Sequence, residues 1–244
     1  MAMNIGRAAS IIVYRQNGGR PEVFLTRRSR RVKSFPGFWV FPGGKQDAGD
    51  IAVAHSLPPQ VFSPGFIFQP VFQEAMAEEF QQMLGTQPDL EIRPAFSDFE
   101  WLSLAVTAAR ELWEETGMAL SRPALDEASL AAVQERLLEQ ADGLQDLLAE
   151  FAFALDLSAV EVAGRITTPD LGPHTRRFDT AFFMVPWPDK RVRGALSKEV
   201  EAGEWLSPEE ALRQFAPEQL AIPTQYILRT LHERWAPQNM EGRR

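Results

Sequence analysis

The chain has 244 residues, of which 45% are apolar and 24% are charged, a balance with which a globular domain can bury a large core. Its formal net charge of -8 argues against a protein that coats nucleic acid, and its lack of cysteine excludes thiol catalysis, disulfides and thiolate metal sites. The sequence holds no apolar run long enough to cross a bilayer and no signal-like start, so we expect a cytoplasmic protein without nucleic-acid or membrane partners.

The first predicted elements are two strands joined as a hairpin. Residues 8–14 are rich in β-branched side chains, residues 16–20 carry a turn signal, and residues 22–26 read as the second strand. A basic loop then leads into a short strand at 38–41, which ends in a Pro-Gly-Gly turn.

Helices are predicted in the middle of the chain. Residues 51–99 contain many prolines and are predicted to be irregular, apart from a helix-like stretch near 71–83. Residues 102–116 predict a helix that ends at Gly117, and residues 126–148 show helical periodicity.

The last third alternates between strands and helices. Strands are predicted at 160–166, 179–185 and 203–206. Ser207, followed by proline and two glutamates, opens a helix, and residues 222–234 form the last one. The simplest interpretation is one mixed α/β domain with inserted segments.

Three glutamates on the central helix carry the main chemical signal. Glu111, Glu114 and Glu115 stand at i, i+3 and i+4, so their side chains share one helix face. Crowded carboxylates repel one another unless they are solvated or neutralised, and hard divalent cations such as magnesium neutralise them with oxygen ligation. For the three glutamates alone, a solvated acidic face is the alternative interpretation.

Together with the turn at 41–44, this helix resembles the Nudix box. Residues 110–118 match the second half of the box, R-E-U-x-E-E-x-G-U with U aliphatic, at every fixed position. Gly44 matches the glycine of the first half, and Asp50 stands where the family has a glutamate. A long insertion separates the halves, which the fold can tolerate because closure entropy rises slowly with loop length.

The resemblance implies an α/β fold, namely a Nudix-type α/β/α sandwich with a mixed central sheet and additional helical insertions. It implies a single Nudix hydrolase domain over residues 1–244, with insertions at about 51–100 and 121–157. The implied activity is magnesium-dependent hydrolysis of a diphosphate bond, with manganese as a substitute. A homodimer is a further expectation from the family.

The resemblance also implies roles for individual residues. The Gly43 carbonyl and the carboxylates of Glu111, Glu114 and Glu115 would bind or orient the metal and its waters, while Arg110 would hold the carboxylates in position. Water would then attack one phosphorus in line.

Residues 198–206 are similar to a later family segment that supplies one more metal carboxylate. By that match Glu199 is the candidate and Glu201 the reserve, with an acidic surface loop as the alternative. The general base varies within the family and stays open between Glu111 and Glu199. The implied catalytic set is Arg110, Glu111, Glu115 and Glu199.

The basic loop suggests the substrate. Residues 27–33 hold five cations, and residues 24–44 resemble, with the same spacing, the coenzyme A signature of Nudix diphosphatases. By that match Arg28 and Lys33 would grip substrate phosphates and Gly44 would contact the substrate, although Lys33 replaces an arginine. A merely solvated loop is the alternative.

Residues 176–183 are similar to a strand of a long-insert branch that includes coenzyme A and acyl-coenzyme A diphosphatases. The predicted reaction converts coenzyme A and water into 4′-phosphopantetheine and adenosine 3′,5′-bisphosphate. Four phenylalanines of the insertion are predicted to join the core or to line a channel for pantetheine or an acyl chain. They are Phe62, Phe66, Phe68 and Phe72.

Other substrates and another class of protein remain as alternatives. The substrate could be ADP-ribose, NADH, a dinucleoside polyphosphate or a damaged nucleoside triphosphate. The chain could also be a catalytically silent nucleotide-binding module of the same fold, or a purely structural protein. The three histidines show no metal-ligand spacing, although His174 lies beside two arginines.

Overall fold

The computed structural model describes residues 5–60, 62, 94–139, 143–168, 177–188 and 194–236. Several predictions concern residues outside these ranges, namely the helix-like stretch near 71–83, Phe66, Phe68, Phe72, His174 and Arg176. Among the described residues, no helix is long and apolar enough to cross a membrane.

Most strands belong to one mixed sheet. The strands are β1 (Gly6–Asn17), β2 (Arg20–Arg28), β3 (Trp39–Val40), β4 (Gly43–Lys45), β5 (Ser121–Arg122), β6 (Ala154–Leu155), β7 (Glu161–Thr167), β8 (Phe178–Pro186) and β9 (Val200–Leu206). In the described part of the chain, seven strands form the mixed sheet, in the order β3-β2-β1-β8-β7, with β4 paired to β1 and β9 paired to β2. The β1 and β8 strands are parallel, and the remaining pairs of this sheet are antiparallel.

The predicted hairpin is confirmed by the pairing of β1 with β2. The register runs from Tyr14 opposite Val23 to Asn17 opposite Arg20. The two residues of the turn, Gly18 and Gly19, have φ values of 56° and 81°. Such a two-residue turn with positive φ matches the twist of the strands that it joins.

The helices depart from the prediction at two places. They are α1 (Ala48–Ser56), α2 (Asp98–Thr116), α3 (Glu127–Glu139), α4 (Leu144–Glu150), α5 (Pro208–Gln214) and α6 (Ile222–Trp235). The irregular chain predicted from residue 51 is wrong as far as residue 56, because α1 occupies it. The central helix begins four residues before the predicted start, because Ser97 accepts a hydrogen bond from the Glu100 amide in a capping box.

The sheet is covered on both faces, which confirms the predicted α/β/α sandwich. Alternate β1 side chains point to opposite faces, so Ile11 joins the core that includes Leu112 of α2, while Ile12 joins the core that includes Leu228 of α6. The α2 helix ends at Gly117, whose φ of 66° is left-handed, as predicted.

The two predicted insertions share the α2 core where they are described. Leu130, Val133 and Leu147 of the second insertion are buried in the same cluster as Trp113, whose indole Nε1 donates to the Leu130 carbonyl at 3.2 Å. Phe62 of the first insertion is buried there as well, with its ring centroid 5.9 Å from that of Phe183. Phe62 therefore joins the core.

Candidate active site

A cavity of about 440 Å³ opens between the sheet, the α2 helix and the start of α6. It is lined by side chains and backbone from β1, β4, β7 and β8, from the basic loop, and from Ala221, Pro223 and Thr224. Most of the predicted site residues lie on its wall, namely Arg28, Gly43, Gly44, Glu111, Glu115 and Glu199.

Strand pairing brings the glycine turn to the glutamate helix. The β4 strand pairs with β1, with Gly43 opposite Ser10 and Gly44 opposite Ala9, and α2 packs against both strands. A Cβ added at Gly44 would lie only 2.4 Å from Glu111 Oε1, so this close approach depends on glycine. The two halves of the split motif therefore meet despite the insertion.

Arg110 is the buried centre of the ion-pair network, with 1% of its side chain exposed. Its Nη1 lies 3.0 Å from Glu114 Oε1 and 3.1 Å from Glu111 Oε1. Its Nη2 also donates to the Lys45 carbonyl at 2.9 Å. Burial tends to lower the pKa of Arg110, but its hydrogen bonds to the Asp50 carboxylate and the neighbouring carboxylate charges raise it overall. Arg110 is therefore a fixed cation among the carboxylates.

Asp50 lies beneath the cavity and completes this network. Its side chain is fully buried and accepts from Arg110 Nε at 2.7 Å and from Arg110 Nη2 at 3.0 Å. The Thr107 hydroxyl donates to it at 2.9 Å and the Asp47 amide at 3.0 Å. With two oxygens engaged by four donors, Asp50 holds Arg110 and does not face the cavity.

Glu115 is held by the basic loop and by the glycine turn. Arg28 Nη1 donates to its Oε1 at 3.1 Å, and the Gly43 amide donates to its Oε2 at 3.3 Å. The Gly43 amide therefore contacts the acidic cluster directly, and the role of its carbonyl as a metal ligand stays a prediction.

The three helix glutamates have raised pKa values. Desolvation by burial is the largest cause and raises the pKa of Glu111 to about 8, and those of Glu114 and Glu115 to about 7. The arginines oppose the shift, while mutual carboxylate repulsion adds to it, including that of Glu199 on Glu115. The arginines alone therefore do not neutralise the cluster.

This charge balance predicts how stability depends on pH without metal. Because the folded pKa values of Glu111, Glu114 and Glu115 exceed the ordinary 4.5, the folded state binds more protons than the unfolded state between about pH 4.5 and 8. The free energy of unfolding should therefore fall as pH rises through that window. The carboxyls with lowered pKa, such as Glu100, change stability only below it.

Thermal midpoints measured in EDTA from pH 5 to pH 8 check this expectation. Glu111→Gln should flatten the slope, because it removes the group with the largest upward shift. A thermal midpoint that stays level or rises with pH in the wild type would contradict the raised pKa values of the three helix glutamates.

The cavity lining does not include every predicted site residue. Glu114 is not among the residues lining the cavity, because both its oxygens accept from Arg110 Nη1 at 3.0 Å. Lys33 is exposed and also lies outside the lining, so its contact with a substrate phosphate stays a prediction. Of the two later glutamates, Glu199 lines the cavity, whereas Glu201 accepts from the Arg30 amide at 3.1 Å.

The acidic cluster fits a divalent cation in its chemistry. Within the described ranges, no three acidic or histidine side chains are arranged to hold a metal ion as they stand, because Glu111, Glu114 and Glu115 contact arginines. Their oxygens are nevertheless the ligand type that magnesium prefers, and burial together with neighbouring carboxylates raises their pKa values, so a bound cation would relieve the cost of their negative charge.

The cavity also contains residues that the sequence interpretation missed. Lys45 directly follows the glycine turn, Asp47 comes two residues later, and both line the wall, so their closeness to Gly44 in the sequence was the available signal. The Lys45 Nζ lies 5.8 Å from the ring centroid of Phe178. Phe35 lines the wall from within the basic loop, and no motif in the sequence marks it apart from its position between the cations and the glycine turn.

Comparisons with known proteins agree with this architecture. The chain is 28% identical over 225 residues to human acyl-coenzyme A diphosphatase NUDT19, covering 82% of this chain and 57% of that protein. It is 24% identical over 226 residues to the protein of the same name from Xenopus laevis, covering 83% of this chain and again 57% of the relative. The chain thus spans little more than half the length of these curated relatives.

A solved structure and a family model cover nearly the whole chain. The crystal structure of a NUDIX hydrolase from Alicyclobacillus acidocaldarius superposes with a TM-score of 0.69 at 26% identity, covering 95% of this chain and 92% of that one. The family model described as NUDT19 Nudix domain matches residues 7–231. The chain therefore belongs to the NUDT19 Nudix domain family of Nudix hydrolases.

Proposed function

We propose that the chain hydrolyses the diphosphate of coenzyme A or acyl-coenzyme A with the help of a divalent cation. The products would be 4′-phosphopantetheine, or its acyl form, and adenosine 3′,5′-bisphosphate. The observation that carries the proposal is the meeting of Glu111, Glu115 and Glu199 with Arg28 on one cavity wall. The names of the curated relatives support the coenzyme A class of substrate.

Magnesium is the proposed cation, and manganese is the natural substitute. When bound, it would neutralise the diphosphate and activate a water molecule. Glu111, Glu115 and Glu199 are the side chains that would hold it, since all three line the cavity. Glu114 adds its negative charge to the cluster while its carboxylate accepts a hydrogen bond from Arg110.

The chain's own residues would organise the reaction around this cluster. Arg110 fixes Glu111 and Glu114 from below the cavity, and Asp50 fixes Arg110. Arg28 already pairs with an anion, Glu115, and its remaining N–H groups suit a substrate phosphate. Glu111 and Glu199 are the candidate proton acceptors, because both carboxylates line the cavity.

We also propose that the chain acts as one domain with two insertions, at about 51–100 and 121–157. The burial of α3 and α4 side chains in the α2 core supports it, because an independent unit would have a core of its own. Thermal unfolding in a single cooperative transition is expected, and two separated transitions would contradict it.

The close contact of Gly44 with Glu111 leads to a specific prediction. In Gly44→Ala the new Cβ would push the Glu111 carboxylate away, since 2.4 Å is too short for any real contact. Because the displaced atoms end a flexible side chain, we expect the fold to persist while kcat falls about 100-fold. Steady-state kinetics and the thermal midpoint check this, and wild-type kcat in the variant would refute the contact.

A substrate panel tests the proposed function. Purified protein with Mg²⁺ is offered coenzyme A, a long-chain acyl-coenzyme A, ADP-ribose, NADH, a dinucleoside tetraphosphate and a nucleoside triphosphate, and the products are identified by mass spectrometry. We expect adenosine 3′,5′-bisphosphate from the coenzyme A substrates at the highest kcat/KM. A higher kcat/KM for any other substrate would overturn the assignment, and nucleotide binding without products would indicate a silent module.

A further inference from the structure

Phe35 is an exposed aromatic residue at the mouth of the cavity. Half of its surface, 50%, is accessible, yet it also forms part of the cavity wall. In the described part of the chain, Phe99 is the other exposed phenylalanine, at 37%, but its ring stacks on His55 with a centroid distance of 4.4 Å and it does not line the cavity. Phe35 thus presents apolar surface where a ligand would enter.

The backbone of Phe35 adopts a conformation that bulky residues rarely use. Its φ is +50°, in the left-handed region, which is unfavourable for a side chain with a Cβ. The surrounding loop holds it there, since the Phe38 amide donates to the Phe35 carbonyl at 3.2 Å. Backbone strain of this kind tends to persist where a side chain is kept in position for binding.

The loop that carries Phe35 is tied to the acidic cluster through Arg28. Arg28 Nε donates to the Ser34 carbonyl at 3.0 Å, while Nη1 of the same guanidinium pairs with Glu115 at 3.1 Å. The Gly37 amide also donates to the Arg28 carbonyl at 3.1 Å. The backbone of the loop that carries Phe35 is therefore tied to the carboxylates that would hold the metal.

We infer that Phe35 is the platform on which the adenine ring of the substrate stacks. This inference rests on the proposed function, which makes the substrate an adenine nucleotide joined through a diphosphate. Aromatic rings bind nucleobases by stacking face to face. Phe35 can offer an exposed ring for this contact, while the ring of Phe38 packs edge-on against it with the two centroids 5.9 Å apart.

Charge decides which end of the substrate meets Phe35. The nucleotide half of coenzyme A carries a 3′-phosphate in addition to the diphosphate, whereas the pantetheine half is neutral. The loop around Phe35 contains Arg30, Arg31 and Lys33, so it attracts the anionic half. Apolar wall residues on β7 and β8, Ile166 and Phe182, suit the neutral half.

Binding of a fluorescent product analogue tests the inference without turnover. The 1,N⁶-etheno derivative of adenosine 3′,5′-bisphosphate is titrated with protein in Mg²⁺, and its anisotropy gives Kd. We expect Phe35→Ala to raise Kd about tenfold, since base stacking on an aromatic residue is worth about that much. Phe35→Trp should stay close to the wild type, and the matched control Phe99→Ala should not change Kd.

Substrate kinetics separate stacking from contact with an acyl chain. Phe35→Ala should raise KM for coenzyme A by a similar factor and leave kcat nearly unchanged, because stacking on the adenine would stabilise the bound substrate and the transition state equally. Phe35→Leu should not restore the wild-type KM for coenzyme A or the wild-type Kd for the product analogue. A leucine that restores binding, a larger KM effect for a long-chain acyl-coenzyme A than for coenzyme A, or an unchanged Kd in Phe35→Ala would each overturn the inference.

A further variant separates the loss of the aromatic ring from a loss of folding stability. Phe35→Asn removes the ring but suits a left-handed backbone, so its thermal midpoint should equal or exceed that of the wild type while affinity is lost. Retained affinity in this variant would overturn the inference. If wild-type protein binds the analogue through Phe35 but releases no product from coenzyme A, the proposed function fails and the stacking site stands.

Discussion

Glu115→Gln is expected to lower kcat on the preferred diphosphate substrate by about 10²–10⁴-fold, because it removes a charged oxygen donor from the cluster that would hold the metal. The substitution keeps the size of the side chain, but glutamine has a single acceptor oxygen, so it can keep the bond from Arg28 or the bond from the Gly43 amide and not both. Removal of a buried carboxylate with a pKa of about 7 offsets part of this loss, so we expect only a small change in the metal-free thermal midpoint. Steady-state kinetics and thermal unfolding in EDTA measure the two effects.

Glu201→Gln is the matched control for this prediction. Glu201 is also a glutamate near the basic loop, 3.8 Å from Arg27, but it is partly exposed and does not line the cavity. Its substitution should change kcat by less than about threefold, as is usual for surface sites away from special interactions. Equal losses in both variants, or full activity in Glu115→Gln, would remove Glu115 from the catalytic cluster.

Arg110→Met is expected to destabilise the protein by about 3–5 kcal/mol, because it leaves buried carboxylates without their cation. The methionine retains most of the apolar volume, but Asp50, which is fully buried, loses a bidentate partner at 2.7 and 3.0 Å. Glu111 and Glu114 lose their neutralising charge as well. Chemical denaturation at pH 8 in EDTA measures the loss.

A double-mutant cycle identifies the cause of that loss. Asp50→Asn combined with Arg110→Met should recover much of the stability, because the buried charge and its partner are removed together. Arg122→Met is the surface control, since Arg122 is 72% exposed and its pair with Asp156 should contribute less than about 1 kcal/mol. Additive losses at positions 50 and 110 would contradict the coupling.

The local parts of the fold followed from the sequence because their signals are local. The Gly18-Gly19 turn and the alternating strands beside it predict the hairpin, and Gly117 predicts the end of α2. The start of α2 was missed because the Ser97 cap lies in a segment whose prolines suggested irregular chain. The α1 helix was missed for the same reason, although Asp47 and Asp50 form its capping box.

The site was predictable to the extent that its motif was recognisable. The spacing of Glu111 and Glu115 placed both on one helix face, and the resemblance connected them with Gly44 across the insertion. The sequence could not show that Glu114 is held by Arg110 away from the cavity, because both arrangements satisfy the same helical spacing. Helical spacing fixes a face, and tertiary contacts decide which side chains reach the substrate.

The role of Asp50 is a second feature of the site that the sequence could not assign. As the variant of a motif glutamate it could have been a ligand, a base or a structural residue. Its burial and its two bonds to Arg110 show a positioning residue. The shorter side chain is accommodated because the Thr107 hydroxyl and the Asp47 amide also donate to it.

Locating Mn²⁺ by anomalous diffraction from crystals of the full chain tests the central claim most directly. The account predicts an anomalous peak in the cavity within coordinating distance of carboxylate oxygens of Glu111 and Glu115, and no such peak in Glu115→Gln. A cavity without manganese at a concentration that supports full activity, or a peak bound only by residues outside the cavity, would contradict it.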